Sequence, residues 1–100
     1  MALRLLLSPM KWHESGTRRD MCAALYAAGE TRGPTLKRTL ERRYDARLDS
    51  RRFYDRLAAL ERAGHVERRV DGLDDVYALT ERGERAVREH CAWLREQVEG

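Results

Sequence analysis

A chain of 100 residues, 42% of them hydrophobic and 37% charged, has room for one domain with a small core and excludes a second, catalytic domain. Its longest apolar run, residues 5–7, is too short to cross a bilayer or to act as a secretory signal, so we expect a cytoplasmic protein. The net charge of +3 is uneven, because residues 35–69 hold 11 basic and 6 acidic side chains while residues 70–100 hold 4 and 8.

The N-terminal part of the chain predicts a short arm followed by one helix. The arm, residues 1–14, shows no clear period and is expected to pack on a partner. The helix is expected from Thr17 to Ala28, because Ser15 or Thr17 can cap its start and Gly29 supplies a left-handed stop.

The next two helices are expected to form a pair joined by a tight turn. Gly33 and Pro34 open the first of them, since proline suits the first turn of a helix, and residues 45–49 form the turn. Asp49 or Ser50 caps the second helix, which Gly64 ends. Apolar residues at helical spacing predict the buried stripes, and these are Leu36, Leu40, Tyr44, Phe53, Leu57 and Leu60.

A hairpin and a last helix complete the predicted order. Residues 65–70 and 75–79 are short β-branched segments around the turn dipeptide Asp71-Gly72, which predicts a two-stranded wing. Thr80 can cap a helix that continues to Val98. The expected fold class is α+β, mainly α: a winged helix-turn-helix with three helices, a two-stranded wing and a C-terminal dimerisation helix.

In such a fold the second helix of the pair enters the major groove of DNA, and the basic middle of the chain suits a polyanion. Arginines at its start can hold guanine by two hydrogen bonds, Ala59 leaves room for close approach, and neighbouring side chains can meet phosphates. The alternative is that these arginines are solvated and paired with Asp55. The predicted DNA-binding residues are Thr35, Lys37, Arg38, Ser50, Arg51, Arg52, Tyr54, Asp55, Arg68 and Arg69.

Four stretches between Arg18 and Arg88 together resemble a known family. They are Arg19-Asp20; Leu36-Lys37-Arg38 through Leu40-Glu41 to Tyr44; Arg52-Phe53-Tyr54 through Leu57 and Leu60 to residues 63–67; and residues 77–80 with Gly83. In order and spacing they resemble the small PadR-like winged-helix regulators. The resemblance implies a transcription factor, usually a repressor, that binds a palindromic operator as a homodimer. The chain departs from that pattern at its wing, where Asp71, Asp74 and Asp75 stand in place of basic residues.

The last helix predicts an interface between two copies of the chain. Its apolar stripe follows a four, three, four spacing and consists of Val87, Cys91, Leu94 and Val98. The alternative is that this stripe packs on the first helix of its own chain. The expected organisation is therefore the arm, a DNA-binding domain over residues 15–79 and a dimerisation element over residues 80–100.

Other classes of function are less well supported by the sequence. No metal, cofactor or catalytic site is expected, because the three histidines are scattered and Cys22 and Cys91 are predicted to be small buried hydrophobes. Trp93 suggests a ligand-responsive sensor, since some PadR-like proteins hold flat aromatic ligands between tryptophans at the dimer interface, but a structural tryptophan is the simpler interpretation. The acidic wing and tail suggest a protein-interaction adaptor as a further alternative.

Overall fold

The computed structural model describes residues 16–100, so the predicted arm over residues 1–14 lies outside the described part of the chain. The described elements, in chain order, are helix α1 (residues 16–28), strand β1 (Glu30–Arg32), helix α2 (Gly33–Tyr44), helix α3 (Ser50–Arg62), strands β2 (Val66–Asp71) and β3 (Asp74–Leu79), and helix α4 (Glu81–Glu99). This order confirms the predicted α+β fold with its winged helix-turn-helix.

The wing is the hairpin of β2 and β3, in which each strand is one residue longer at the turn than predicted. Asp71 lies opposite Asp74, so the turn residues are Gly72 and Leu73, and Gly72 adopts the positive φ of 69° that glycine tolerates best. A third strand joins this hairpin, which the sequence pattern did not predict. Strand β1 pairs antiparallel with β3, giving the strand order β1-β3-β2.

The core forms where the three N-terminal helices meet the base of the sheet. Apolar residues at helical spacing point inward, as predicted, because burying them together removes their surface from water. The buried side chains include Met21 and Leu25 of α1, Leu36 and Leu40 of α2, Phe53, Leu57 and Leu60 of α3, and Val66 and Tyr77 of the sheet.

Two polar contacts fix the positions of the helices around this core. The Tyr44 hydroxyl donates a hydrogen bond to the Asp20 carboxylate and so ties α2 to α1, and burial together with this bond raises the pKa of Tyr44 to about 12. Glu41 accepts hydrogen bonds from the Lys37 ammonium at 2.9 Å and from the Leu48 backbone N–H at 2.8 Å. Glu41 therefore holds the turn that places α3 relative to α2.

The turn gives a first testable prediction, the effect of Glu41→Gln on stability. The Lys37 and Leu48 donors hold the pKa of Glu41 below its ordinary value of 4.5, so its stabilising effect is present above that value and is lost as the pH falls through the lowered pKa. We expect the variant to melt at a lower temperature than the parent at neutral pH, with the difference narrowing in acid. Thermal unfolding followed by circular dichroism from pH 7 downward measures both effects.

Glu67→Gln is the matched control, because Glu67 is exposed and makes no ion pair within residues 16–100. Equal losses from the two substitutions, or a difference that does not vary with pH, would contradict the role of Glu41.

Candidate nucleic-acid interface

Helix α3 presents one buried face and one open face. With 100° of rotation per residue, the buried positions Phe53 and Leu57 place Arg51, Asp55 and Arg62 on the opposite side. These three side chains are exposed, as is Ser50 at the first position of the helix. Asp49 caps the helix by accepting a hydrogen bond from the backbone N–H of Arg52 at 2.9 Å. The start of α3 is therefore capped and open to solvent.

Tyr54 links α3 to the start of α2 on one flank of this open face. Its ring meets Phe53 edge to face, with centroids 5.0 Å apart, and lies against Gly33, where an added Cβ would sit 2.9 Å from the ring. Partial burial, and next the charge of Asp74, raise the pKa of Tyr54. The hydroxyl therefore stays protonated at neutral pH and can donate a hydrogen bond.

Arg52 lies on the other flank of α3, away from Tyr54. It borders a shallow depression between α3 and the first two helices together with Arg56, Arg47, Asp20 and Tyr44. The two arginines predicted to act together, Arg51 and Arg52, therefore point to different sides of the helix. Arg51 faces outward beside Asp55, whereas Arg52 faces the depression on the flank of the helix.

The residues of α2 that are predicted to contact phosphates differ in their exposure and in whether they already form an ion pair. Thr35 and Arg38 are exposed on its outer side, and the guanidinium of Arg38 lies 3.4 Å from the Thr35 hydroxyl. Lys37 is only 19% exposed and is paired with Glu41. Thr35 and Arg38 can meet a ligand directly, while Lys37 already supports the turn.

The predicted phosphate contacts on the wing are paired with carboxylates. Arg68 lies 3.0 Å from Asp75 and 3.6 Å from Glu61, and Arg69 lies 2.8 Å from Glu30. The carboxylate of Asp71 completes this set, 3.0 Å from Arg32 of β1 and 3.9 Å from Arg69. Each exposed pair contributes little to stability, but together they neutralise the positive charge of the wing.

Unpaired positive charge is dense on α2, α3 and the turn between them, although arginines of α1 and α4 are also unpaired within residues 16–100, namely Arg18, Arg19, Arg82, Arg85 and Arg95. Within the described part of the chain, eight arginines of this region make no ion pair, in contrast to those of β1 and the wing. They are Arg38, Arg42, Arg43, Arg47, Arg51, Arg52, Arg56 and Arg62. The pairing with Asp55 that the alternative predicted for Arg51 and Arg52 is absent, since no ion pair joins them, but both arginines are exposed to solvent as it predicted.

One predicted orientation on α3 is wrong. Ala59 does not face outward with Arg51 and Asp55, because it is half-buried and lines a groove with Cys22 of α1 and Val87 of α4. The helical period gives the angle of a residue but not which neighbouring helix covers it. The predicted site did not include Gly33 or Arg56. Sequence signals for both exist, since Gly33 directly precedes Pro34 and Arg56 follows Arg52 by four residues, on the same side of the helix.

Helix α4 leaves most of its apolar stripe uncovered by the described residues. Val87 packs against the core, but Leu94 is 45% exposed, Val98 is 84% exposed and Cys91 is also exposed. The prediction that Cys91 is buried is therefore wrong for the single chain, while Cys22 is buried and its pKa is raised to about 11 by that burial. Trp93 is half-exposed and stacks on His90 at a centroid distance of 6.0 Å.

The described residues provide neither a metal-binding cluster nor a membrane-spanning helix. Between residues 16 and 100, no three His, Cys, Asp or Glu side chains are grouped so that they could hold a metal ion. In the same part of the chain, no helix combines the length and apolar character that crossing a membrane requires.

The architecture and the exposed basic helix define a winged helix-turn-helix protein. The sequence matches no protein-family model and no curated protein. Solved structures are similar, among them RosR from H. salinarum, with a TM-score of 0.76 and 28% identity over 80% of this chain and 73% of that chain.

Two further solved structures share the fold at lower identity. A PadR family transcriptional regulator from Eggerthella lenta has a TM-score of 0.63 and 23% identity, covering 100% of this chain and 92% of its own. A transcriptional regulator from Clostridium thermocellum has a TM-score of 0.68 and 16% identity, covering 85% of this chain and 86% of its own. The resemblance to PadR-like winged-helix regulators is confirmed at the level of the fold.

Proposed function

We propose that this protein is a sequence-specific, double-stranded DNA-binding transcriptional regulator that acts as a homodimeric repressor on a palindromic operator. The observation that carries the proposal is the distribution of charge. Arginines of α2, α3 and their turn make no ion pair within residues 16–100, whereas the wing arginines are paired with carboxylates. A helix-turn-helix with free cations is suited to phosphates and base edges.

The side chains divide into contacts that specify and contacts that position. Arg51 faces outward at the start of α3, where a guanidinium can donate two parallel hydrogen bonds to guanine O6 and N7. Ser50, Tyr54, Thr35 and Arg38 suit phosphate oxygens, which fix the protein on the duplex without reading its sequence. We assign the wing residues Arg68 and Arg69 a minor part, because Asp75 and Glu30 already hold them.

The proposed dimer uses the uncovered stripe of α4. In this division of the chain, residues 15–79 bind DNA and residues 80–100 join two copies. A two-fold dimer would place two copies of α3 in successive major grooves, about 34 Å apart. Exposed Leu94 and Val98 support this arrangement, since burying their surface between two copies favours association.

The proposal predicts that Arg51→Ala weakens binding to the preferred site and relaxes one base position. Loss of a bidentate contact to guanine costs about 1–3 kcal/mol of discrimination, which is roughly a 5- to 150-fold change in affinity. Selection from randomised duplex DNA first identifies the preferred site of the parent. Binding of parent and variant to that site and to single-base variants of it then measures the loss.

Arg38→Ala is the informative comparison, because a phosphate contact should weaken all sequences alike and reduce the salt dependence by about one unit of slope. Arg85→Ala, an exposed arginine of α4, should leave both properties unchanged. If the parent enriches no sequence and its affinity depends only on salt, the proposal of a sequence-specific regulator is wrong and the protein is a non-specific DNA binder.

A second function, the protein-interaction adaptor, is favoured by one observation. Val70 and Leu73 are strongly exposed on the wing, next to the neutralised arginines. An apolar tip among carboxylates is better suited to another protein than to a phosphate backbone. Capture of the same partner by the parent after nuclease treatment, and its loss with Leu73→Ser, would support this function.

A further inference from the structure

Asp55 is an unpaired carboxylate on the outward face of α3. Asp71, Asp75, Glu30 and Glu61 bind arginines, and Asp49 caps a helix. Asp55 is exposed, and no basic side chain within residues 16–100 forms an ion pair with it. Its carboxylate is thus free on the outward line of α3.

A free carboxylate at this place is unfavourable for non-specific DNA binding. It lies four residues after Arg51 on the same line of the helix, so a duplex that contacts Arg51 also comes close to Asp55. The phosphate backbone repels a carboxylate whatever the base sequence. A carboxylate in this basic helix is compatible with tight binding where the DNA supplies a hydrogen-bond donor that offsets the repulsion.

The major groove offers such a donor at cytosine. The exocyclic N4 amino group of cytosine donates to a carboxylate, whereas guanine and thymine present acceptor oxygens that would repel it. Adenine also has a donor, its N6 amino group, but the N7 acceptor beside it disfavours a carboxylate. Four residues of α-helix rise about 6 Å, and successive bases of one strand are about 3.4 Å apart. Arg51 and Asp55 can therefore address base pairs within about two steps of each other.

We propose that Asp55 is a specificity-determining residue that selects cytosine in each half-site, close to the guanine held by Arg51. This role rests on the proposed function, since it requires α3 to lie in a major groove. In this role Asp55 weakens binding to sites that present guanine or thymine to its carboxylate. The preference of the protein for its own site over other DNA is thereby increased.

Selection from randomised duplex DNA with the parent, Asp55→Asn and Asp55→Ala tests this role. We expect both variants to lose roughly tenfold or more of the discrimination for cytosine at one position, and Asp55→Asn to gain adenine there, since asparagine pairs with adenine N6 and N7. Affinity for unrelated DNA should stay equal or rise. Circular dichroism confirms that each variant is folded.

Asp45→Asn is the matched control, because it removes the same charge from an exposed residue outside the helices, where a φ of 53° suits asparagine. It should keep the base preference of the parent. If the parent enriches a motif that both Asp55 variants preserve, the cytosine role is overturned and the regulator stands. If the parent enriches no motif, the proposed function and this role fall together.

Discussion

Replacing Gly83 with alanine should produce the largest loss of stability of any single methyl group added at a described glycine. A Cβ at this position would lie 2.1 Å from the backbone oxygen of His65 and 3.0 Å from Cδ2 of Leu79. That oxygen already accepts the Thr80 N–H at 3.0 Å, so it cannot move aside without breaking a hydrogen bond. We expect a loss of about 2–4 kcal/mol and a melting temperature lower by roughly 10–20 °C.

Thermal and urea unfolding of Gly83→Ala measure this loss, with Gly16→Ala as the control. Gly16 is also helical, but an added Cβ meets nothing there within 4 Å, so alanine should be neutral or stabilising through its helix propensity. A Gly83→Ala variant as stable as the parent would show that α4 does not approach the turn before β2 as closely as the structure indicates.

The same close approach connects the two parts of the proposed function. The Thr80 hydroxyl donates to the Gly64 carbonyl at 2.6 Å and accepts from the Gly83 N–H at 3.1 Å. These hydrogen bonds hold the start of α4 against the turn that follows α3. Because the two helices share this contact, the direction of the α4 stripe would set the direction of α3 in the proposed dimer on DNA.

Residues with strong local preferences made most of the fold predictable. The buried stripes of α2 and α3 follow the helical period, and Asp49, Gly72 and Thr80 mark a helix start, a turn and a second helix start by their own backbone chemistry. Each of these signals acts within a few residues. They are therefore visible without knowledge of the tertiary structure.

The remaining features depend on contacts between distant residues. Strand β1 is only three residues long and exists because Thr31 pairs with Tyr77, far along the chain. The pairing of Arg69 with Glu30 follows from that same strand, so the neutral wing could not be deduced from composition. Ala59 was misplaced for a related reason, since only the packing of α1 and α4 shows which side of α3 is covered.

Leu94→Glu should convert the proposed dimer into monomers and abolish tight binding to the proposed operator. Leu94 is 45% exposed in the single chain, so a charge there leaves the monomer folded but puts two carboxylates near the two-fold axis of the proposed dimer. Analytical ultracentrifugation measures the change of mass. Ala92→Glu adds the same charge on the opposite side of α4 and should leave the dimer intact.

The operator measurement separates loss of dimerisation from loss of the DNA-binding surface. Two linked copies of α3 gain from effective concentration, so the monomer should bind a full palindrome about 100- to 10,000-fold more weakly. A single half-site should be bound equally by parent and variant, because Arg51, Arg38 and Tyr54 lie away from the change. If the variant remains dimeric, the dimer interface does not include Leu94 and must lie elsewhere on the chain. If the parent itself is monomeric, the proposed binding of a dimer to a palindromic operator is wrong. If the variant binds the half-site and the palindrome with equally reduced affinity, the substitution instead disturbs the position of α3 within one chain.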